Sequence, residues 1–401
     1  MSELAQQWID DPVALRTFCD ELAEEPVIGL DTEFIGEGTF HPRLCLVQIA
    51  TPRRLAVIDP LALPSLNPLW DPIVDPARTV VVHAGREEIR IIRQASGRTP
   101  GGLFDLQIAA GLVGLGYPVG YAALVRSVLG QALSKSETLT DWARRPLSAQ
   151  QRAYAFDDVR HLLPIYSVIE SRLRDLRRAT WLREEMAGLE RHALCDDPLV
   201  ERWRKLKGIG ALDRKRLAVV REIFAWREEV AERQNRPVRS VLRDDLLVEI
   251  ARRLPQHERD FATLRGVAAR DHGEILAAVR RARALPSADW PAPTERDVEP
   301  PPVAVVGGFV LAALTDLCTR WALAPALVAT SSDIKRWIRH RSEGACGAPE
   351  DSDLGRGWRA RHILPALERI LAGQCAIGIG DIRSETPLRW DADLRPPPGD
   401  D

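Results

Sequence analysis

The chain has 401 residues, 45% of them hydrophobic and 28% charged, with a formal net charge of −2. This composition belongs to a folded globular protein and excludes a disordered or fibrous one, and at about 150 residues per domain the length calls for two or three cores. The longest apolar run, Val303 to Leu314, stops at Asp316, short of the roughly 20 residues that cross a bilayer, so it reads as a buried helix and no membrane association is expected.

The opening segment MSELAQQWIDD is polar and acidic and lacks the basic and apolar stretches of a secretory signal. Six cysteines (Cys19, Cys45, Cys195, Cys318, Cys346, Cys375) show neither a CxxC pair nor zinc-site spacing. Reduced thiols in a cytoplasmic protein are the expectation. Residues 26 to 60 hold three strand-like runs, PVIGLDTEF, LCLVQIAT and RLAVIDP, and a fourth, TVVVHAG, leads into the amphipathic REEIRIIRQ. Segments around Phe104 to Leu112, Gly120 to Leu129 and Ser148 to Leu173 have helical spacing, which makes the first domain α/β. Beyond about 190 only helical periodicity is read. The stretch Pro286 to Pro302 is rich in proline and acid and reads as extended, and Leu394 to Asp401 as a frayed tail. The expected domains are 1–195, 196–288 and 303–388, with a linker at 289–302 and a flexible tail at 389–401.

Asp31 and Glu33 lie two apart in the first of these strands, so the strand period puts both carboxylates on one face. Ionised acids in an apolar strand need a compensating charge, which a hard cation supplies, although an ion pair or a strand end fits a lone DxE as well. In RAYAFDDVRHLLPIY, Tyr154 and Asp158 are one helical turn apart and share a face, while Asp157 points elsewhere. A phenol packed into a core would look the same. His83 reads as a core histidine bonded to backbone. Asp105 suits a helix N-cap.

Taken together, DTEF, the strand running into HAGREE, the KSE…TDW segment and YAFDD…LLPIY resemble the ribonuclease D family of the DEDD exonuclease superfamily, in its tyrosine-containing subgroup. The resemblance spans nearly the whole chain. It implies a ribonuclease H-like mixed sheet flanked by helices, followed by two all-α HRDC-like domains (helicase and ribonuclease D C-terminal). It also implies a 3′-to-5′ exoribonuclease using two divalent metal ions, Mg²⁺ or Mn²⁺. On this basis Asp31, Glu33 and Asp158 match metal ligands, Asp31 bridging both ions, and Tyr154 positions the attacking water. Glu88 stands where the family has aspartate. The longer side chain keeps the charge, and it is expected still to ligate on the leaving-group side, through water. Lys135, Ser136, Asp141 and Trp142 fall in a loop that the family keeps near its active site.

From Arg202 to Arg239 the chain carries twelve Lys and Arg against five acids, which reads as a solvated helix face on charge alone. The AWREEVAERQNRPV and DDLLVEIARRLP segments resemble an HRDC domain, and that makes the same surface an expected phosphate contact. The implied partner is RNA, tRNA precursors with 3′ extensions in particular, bound by a monomer. A single-stranded DNA exonuclease would use the same carboxylates, and a catalytically weakened RNA-binding module is the alternative that Glu88 raises. A helicase would need a GxxxxGK[ST] loop, and the sequence has none.

Overall fold

The computed structural model describes residues 4–36, 38–133, 141–194, 202–293, 300–349, 351–391 and 399–400. The chain forms two compact units. One comprises Met1–Glu33, Cys45–Leu194 and Glu299–Asp401, and the other Phe34–Leu44 with Cys195–Val298.

The first unit is built on a six-stranded sheet. Its strands are β1 (Ala5–Ile9), β2 (Val27–Ile35), β3 (Arg43–Ala50), β4 (Arg54–Ile58), β5 (Thr79–Val82) and β6 (Gly102–Asp105), in the order β1-β4-β3-β2-β5-β6. β1/β4, β2/β5 and β5/β6 pair in parallel and β3/β4 antiparallel, so the sheet is mixed. The central runs are fully buried, as continuous Val, Ile and Leu require. β1 and β6 are additions to the strands read from the sequence. The helical segment expected from Phe104 begins only at Leu106, because Phe104 and Asp105 finish β6.

Helices that matter to the site are α1 (Pro12–Ala23), α2 (Asn67–Ile73), α3 (Arg86–Ser96), α4 (Leu106–Leu112), α5 (Tyr121–Leu129), α6 (Ala149–Arg160), α7 (Leu162–Asp175) and α8 (Ala179–Leu194). α6 starts at a capping box in which Ser148 and Gln151 satisfy each other's backbone amides. It breaks from α7 at His161, where the Tyr121 hydroxyl accepts from the His161 amide at 3.2 Å and donates to the Asp157 carbonyl at 3.4 Å. Gly29 lies in β2 on the face shared with Asp31 and Glu33. A Cβ there would stand 3.1 Å from Leu162 Cβ and 3.2 Å from Ala50 Cβ, so only glycine lets α7 come this near the sheet. Gly29→Val is expected to lower stability by about 1–3 kcal/mol and to slow turnover by displacing the helix pair that carries Asp158. Urea unfolding and a turnover assay check this. Wild-type turnover would show that the spacing does not set the site.

Residues 300–349 and 351–391 belong to the first unit, the one built on the sheet. Buried Arg178 donates from Nη1 to the carbonyls of Leu112 (2.7 Å) and Ala322 (2.8 Å) and from Nη2 to that of Trp321 (2.6 Å). It thereby ties the ends of two helices together. Trp181 stacks on Trp358 at 4.6 Å, and Glu185 accepts from both Trp358 Nε1 and Arg359. The apolar run expected as a buried helix forms Pro301–Arg320, and only one of its faces is covered: Val305 is 74% and Phe309 51% exposed. Its length and composition alone would suit a bilayer, but its inner face packs in the core and its buried Asp316 accepts from Arg320, Leu388 N and Trp390 Nε1. The last two contacts hold a two-stranded ribbon, β7 (Ile377–Ile379) with β8 (Leu388–Trp390), where only helices were expected. The end of the expected frayed tail is also tied down, since Asp400 pairs with Arg361 and His362.

The second unit is helical, with a core centred on Arg214–Arg233 (Leu217, Val220, Ile223, Phe224) packed by Asp244–Arg253 and His272–Ala284. The first part of the proline-rich stretch is docked, not extended. Trp290 packs on this core, and its carbonyl and that of Ala292 accept from Arg214 and Arg204. Asn235 Oδ1 accepts from the amides of Phe40 (3.1 Å) and His41 (3.0 Å). Six of the twelve basic residues on the expected surface are paired with acids. Arg227, 2% exposed, pairs with Asp244 and Glu228, and Arg202, Arg216, Arg221, Arg233 and Arg239 also have acidic partners. Acids one turn along serve Arg216 and Arg233, and Asp244 of the Asp244–Arg253 helix serves Arg227 and Arg239.

Candidate active site

The five residues singled out in the sequence come from three elements. Asp31 and Glu33 project from one face of β2, Glu88 from the first turn of α3, and Tyr154 and Asp158 from one face of α6. They gather within strong electrostatic range of each other. Burial holds the Asp31 carboxyl well above the usual carboxylate range, and the charges of Glu88, Asp158 and Glu33 add to that. Burial, then Glu88, pushes Glu33 up to about 7. Burial also pushes Glu88 up to about 7, and Asp158 up to about 8 with a contribution from Glu33. Among the described residues, no lysine or arginine is one of the main charges acting on these four groups.

The Tyr154 hydroxyl donates to Asp158, while burial and the Asp158, Glu33 and Asp31 charges raise its pKa, so it stays a proton donor. Asp158 Oδ2 is buried and has no hydrogen-bond partner among the described residues. An oxygen-only set of acids with an orphaned acceptor, and no cation partner among the described residues, fits a hard divalent ion. As placed, no three His, Cys, Asp or Glu among the described residues form a closed ligand set around one ion.

Two supports for Glu88 were not read from the sequence. Thr32 lies between the two strand acids and so faces the opposite side of β2, toward α3, where its hydroxyl donates to Glu88 Oε1 at 2.9 Å. The period of two carries that signal. Asp105 is the N-cap of α4, accepting from Gln107 N at 2.8 Å, and also accepts from the Ala84 and Gly85 amides at 3.1 and 2.9 Å. It therefore fixes the turn from which α3 starts. Ala84 there has φ 58°, and a Cβ on Gly85 would run into Val82 at 2.3 Å.

The other described candidates do not join the cluster. His83 Nε2 lies 2.9 Å from the Val119 carbonyl, a backbone-bonded core histidine. Asp157 pairs with Arg160. Asp141 caps its own loop through Ala143 N, Trp142 is buried beside Tyr154, and Lys135 and Ser136 lie outside the described residues.

The family described as 3'-5' exonuclease matches residues 6–174, and the HRDC domain family matches residues 216–279. A ribonuclease D of Pseudomonas paraeruginosa is 36% identical over 369 residues, covering 90% of this chain and 96% of the relative. The chain belongs to the ribonuclease D family. A second ribonuclease D, from Granulibacter bethesdensis, is 37% identical over 91% of the chain and 92% of its own length. Among solved structures, the Escherichia coli RNase D, described as an exoribonuclease involved in structured RNA processing, superposes with a TM-score of 0.79 at 28% identity. That match covers 92% of this chain and 99% of the other. The activity of this ribonuclease D is therefore 3′-to-5′ exoribonucleolytic hydrolysis.

Glu88 gives this ribonuclease D a longer second-motif acid than its resemblance leads one to expect, and Thr32 is bonded to that length. Glu88→Asp is expected to keep turnover. It should cost about 1 kcal/mol of stability, because the Thr32 hydroxyl loses its buried acceptor. Kinetics with urea unfolding check both, and a complete loss of turnover would contradict the first.

Proposed function

We propose that Asp31, Glu33, Glu88 and Asp158 hold two divalent metal ions, Mg²⁺ or Mn²⁺, and that the enzyme shortens tRNA precursors from their 3′ ends. The observation that carries this reading is the cluster of four carboxylates, each pushed toward protonation, with no Lys or Arg among the main charges acting on it from the described residues. When bound, the ions supply the positive charge that activates water and stabilises the leaving 3′ oxygen. The protein's own groups do the rest. Asp31 lies at the centre of the cluster, Thr32 orients Glu88, and Tyr154 donates to Asp158 from a phenol that remains protonated, in reach of a water that the carboxylates would hold. The thiols of Cys19, Cys45, Cys318, Cys346 and Cys375 are free, which accords with a cytoplasmic setting.

The test is incubation with a 3′-extended tRNA and a matched single-stranded DNA in Mg²⁺, in Mn²⁺ and in EDTA. Stepwise shortening of the RNA that EDTA abolishes is the expected result. Equal shortening in EDTA would remove the metal reading, and shortening of DNA alone would remove the tRNA reading.

A further inference from the structure

Tyr154 has a wall behind it. Trp142 is buried, its ring centroid 6.0 Å from that of Tyr154 with the planes 33° apart. The Trp142 carbonyl accepts from Arg145 Nη1 at 2.7 Å, and the same guanidinium forms a fork on Asp59, Nε to Oδ2 at 2.6 Å and Nη2 to Oδ1 at 2.7 Å. Nη2 reaches the Cys45 carbonyl as well, at 3.1 Å. Asp59 is buried immediately after β4, and Cys45 lies inside β3. One side chain thus bolts residues 141–146 to two central strands. Ser148, three residues further on, begins the helix that carries Tyr154 and Asp158.

All three guanidinium nitrogens are engaged by protein acceptors, and Asp59 neutralises the charge, so Arg145 has no donor edge to spare for an RNA phosphate. Its consequence for the reaction runs through what it holds in place. We propose that Arg145, seated on Asp59, is a positioning residue for hydrolysis: through Trp142 it keeps the Tyr154 phenol over Asp158. This rests on the part given above to Tyr154. Lysine cannot replace it, because a single ammonium cannot span both Asp59 oxygens and two backbone carbonyls at once.

A double-mutant cycle tests it. The kcat and KM for a single-stranded oligoribonucleotide in Mn²⁺ are measured for the wild type, Arg145→Lys, Tyr154→Phe and the double variant, together with the Mn²⁺-induced shift in melting temperature. Arg145→Lys is expected to lower kcat about 10–100-fold, with KM and the Mn²⁺ shift unchanged. In the Tyr154→Phe background the same substitution should cost less than about twofold, since two changes acting through one contact do not add. A full loss in both backgrounds, or a raised KM at unchanged kcat, overturns the proposal. If Tyr154→Phe turns over at the wild-type rate, the reading of Tyr154 fails and this inference goes with it. Should Arg145→Lys not fold, Trp142→Leu leaves the Arg145 fork on Asp59 and runs the same cycle, with the same non-additivity expected.

Discussion

Asp31→Asn is expected to cut hydrolysis by at least about 10³-fold, the scale on which a lost electrostatic stabiliser of a transition state is felt, and at the same time to raise the melting temperature of the metal-free protein. Both effects have one cause. Asp31 is the acid on which Glu88, Asp158 and Glu33 all act, and its carboxyl is held well above the ordinary range. An ionised group in that position is a liability to the fold that only a bound cation offsets. Asparagine keeps the shape and removes the charge, so repulsion in the apo cluster falls while the charge that would bridge two ions is lost. Turnover in Mn²⁺ and thermal melting in EDTA measure the two arms. Activity within tenfold of the wild type would sink the assignment of Asp31.

The pH dependence of stability is the second large effect. In EDTA the melting temperature of the catalytic unit is expected to fall as pH rises from about 5 to 8. Unfolded Asp and Glu titrate near 3.9 and 4.3, whereas in the folded chain Glu33 and Glu88 lie at about 7 and Asp158 at about 8. Between those values the folded state binds more protons than the unfolded state. Stability must therefore decrease with pH across that window and level off above it. A divalent ion takes the deprotonated carboxylates and releases their protons, so the gain in melting temperature on adding Mn²⁺ should be larger at pH 8 than at pH 6. A difference of at least about 2–4 °C corresponds to about 1 kcal/mol in a unit of this size. A melting temperature flat from pH 5 to 8, with the same Mn²⁺ gain at both ends, would mean that the four acids do not share one cluster.

Short-range geometry accounts for what is legible along the chain. A period of two put Asp31 and Glu33 on one face of a strand, and a turn of helix put Tyr154 over Asp158. Continuous Val, Ile and Leu marked the central strands, and the resemblance of the motifs picked out Glu88. The tertiary structure alone decided how these pieces meet. Gly29 sets how near α7 lies to the sheet, and the Thr32 bond to Glu88 spans 56 positions, that of Arg145 to Asp59 86. Nothing in the local pattern of either partner names the other. The same reason separates the basic run from its fate. Counting charges along Arg202 to Arg239 suggests an open cationic face, but six of its twelve basic residues are paired with acids, which come partly from another helix, as Asp244 does for Arg227 and Arg239. Arg178 likewise reads as one more basic residue until three carbonyls from distant helix ends close around it. Local periodicity fixes which way a side chain faces. What it faces depends on hydrophobic burial, which has no direction of its own, and on the long-range hydrogen bonds that select one packing from many.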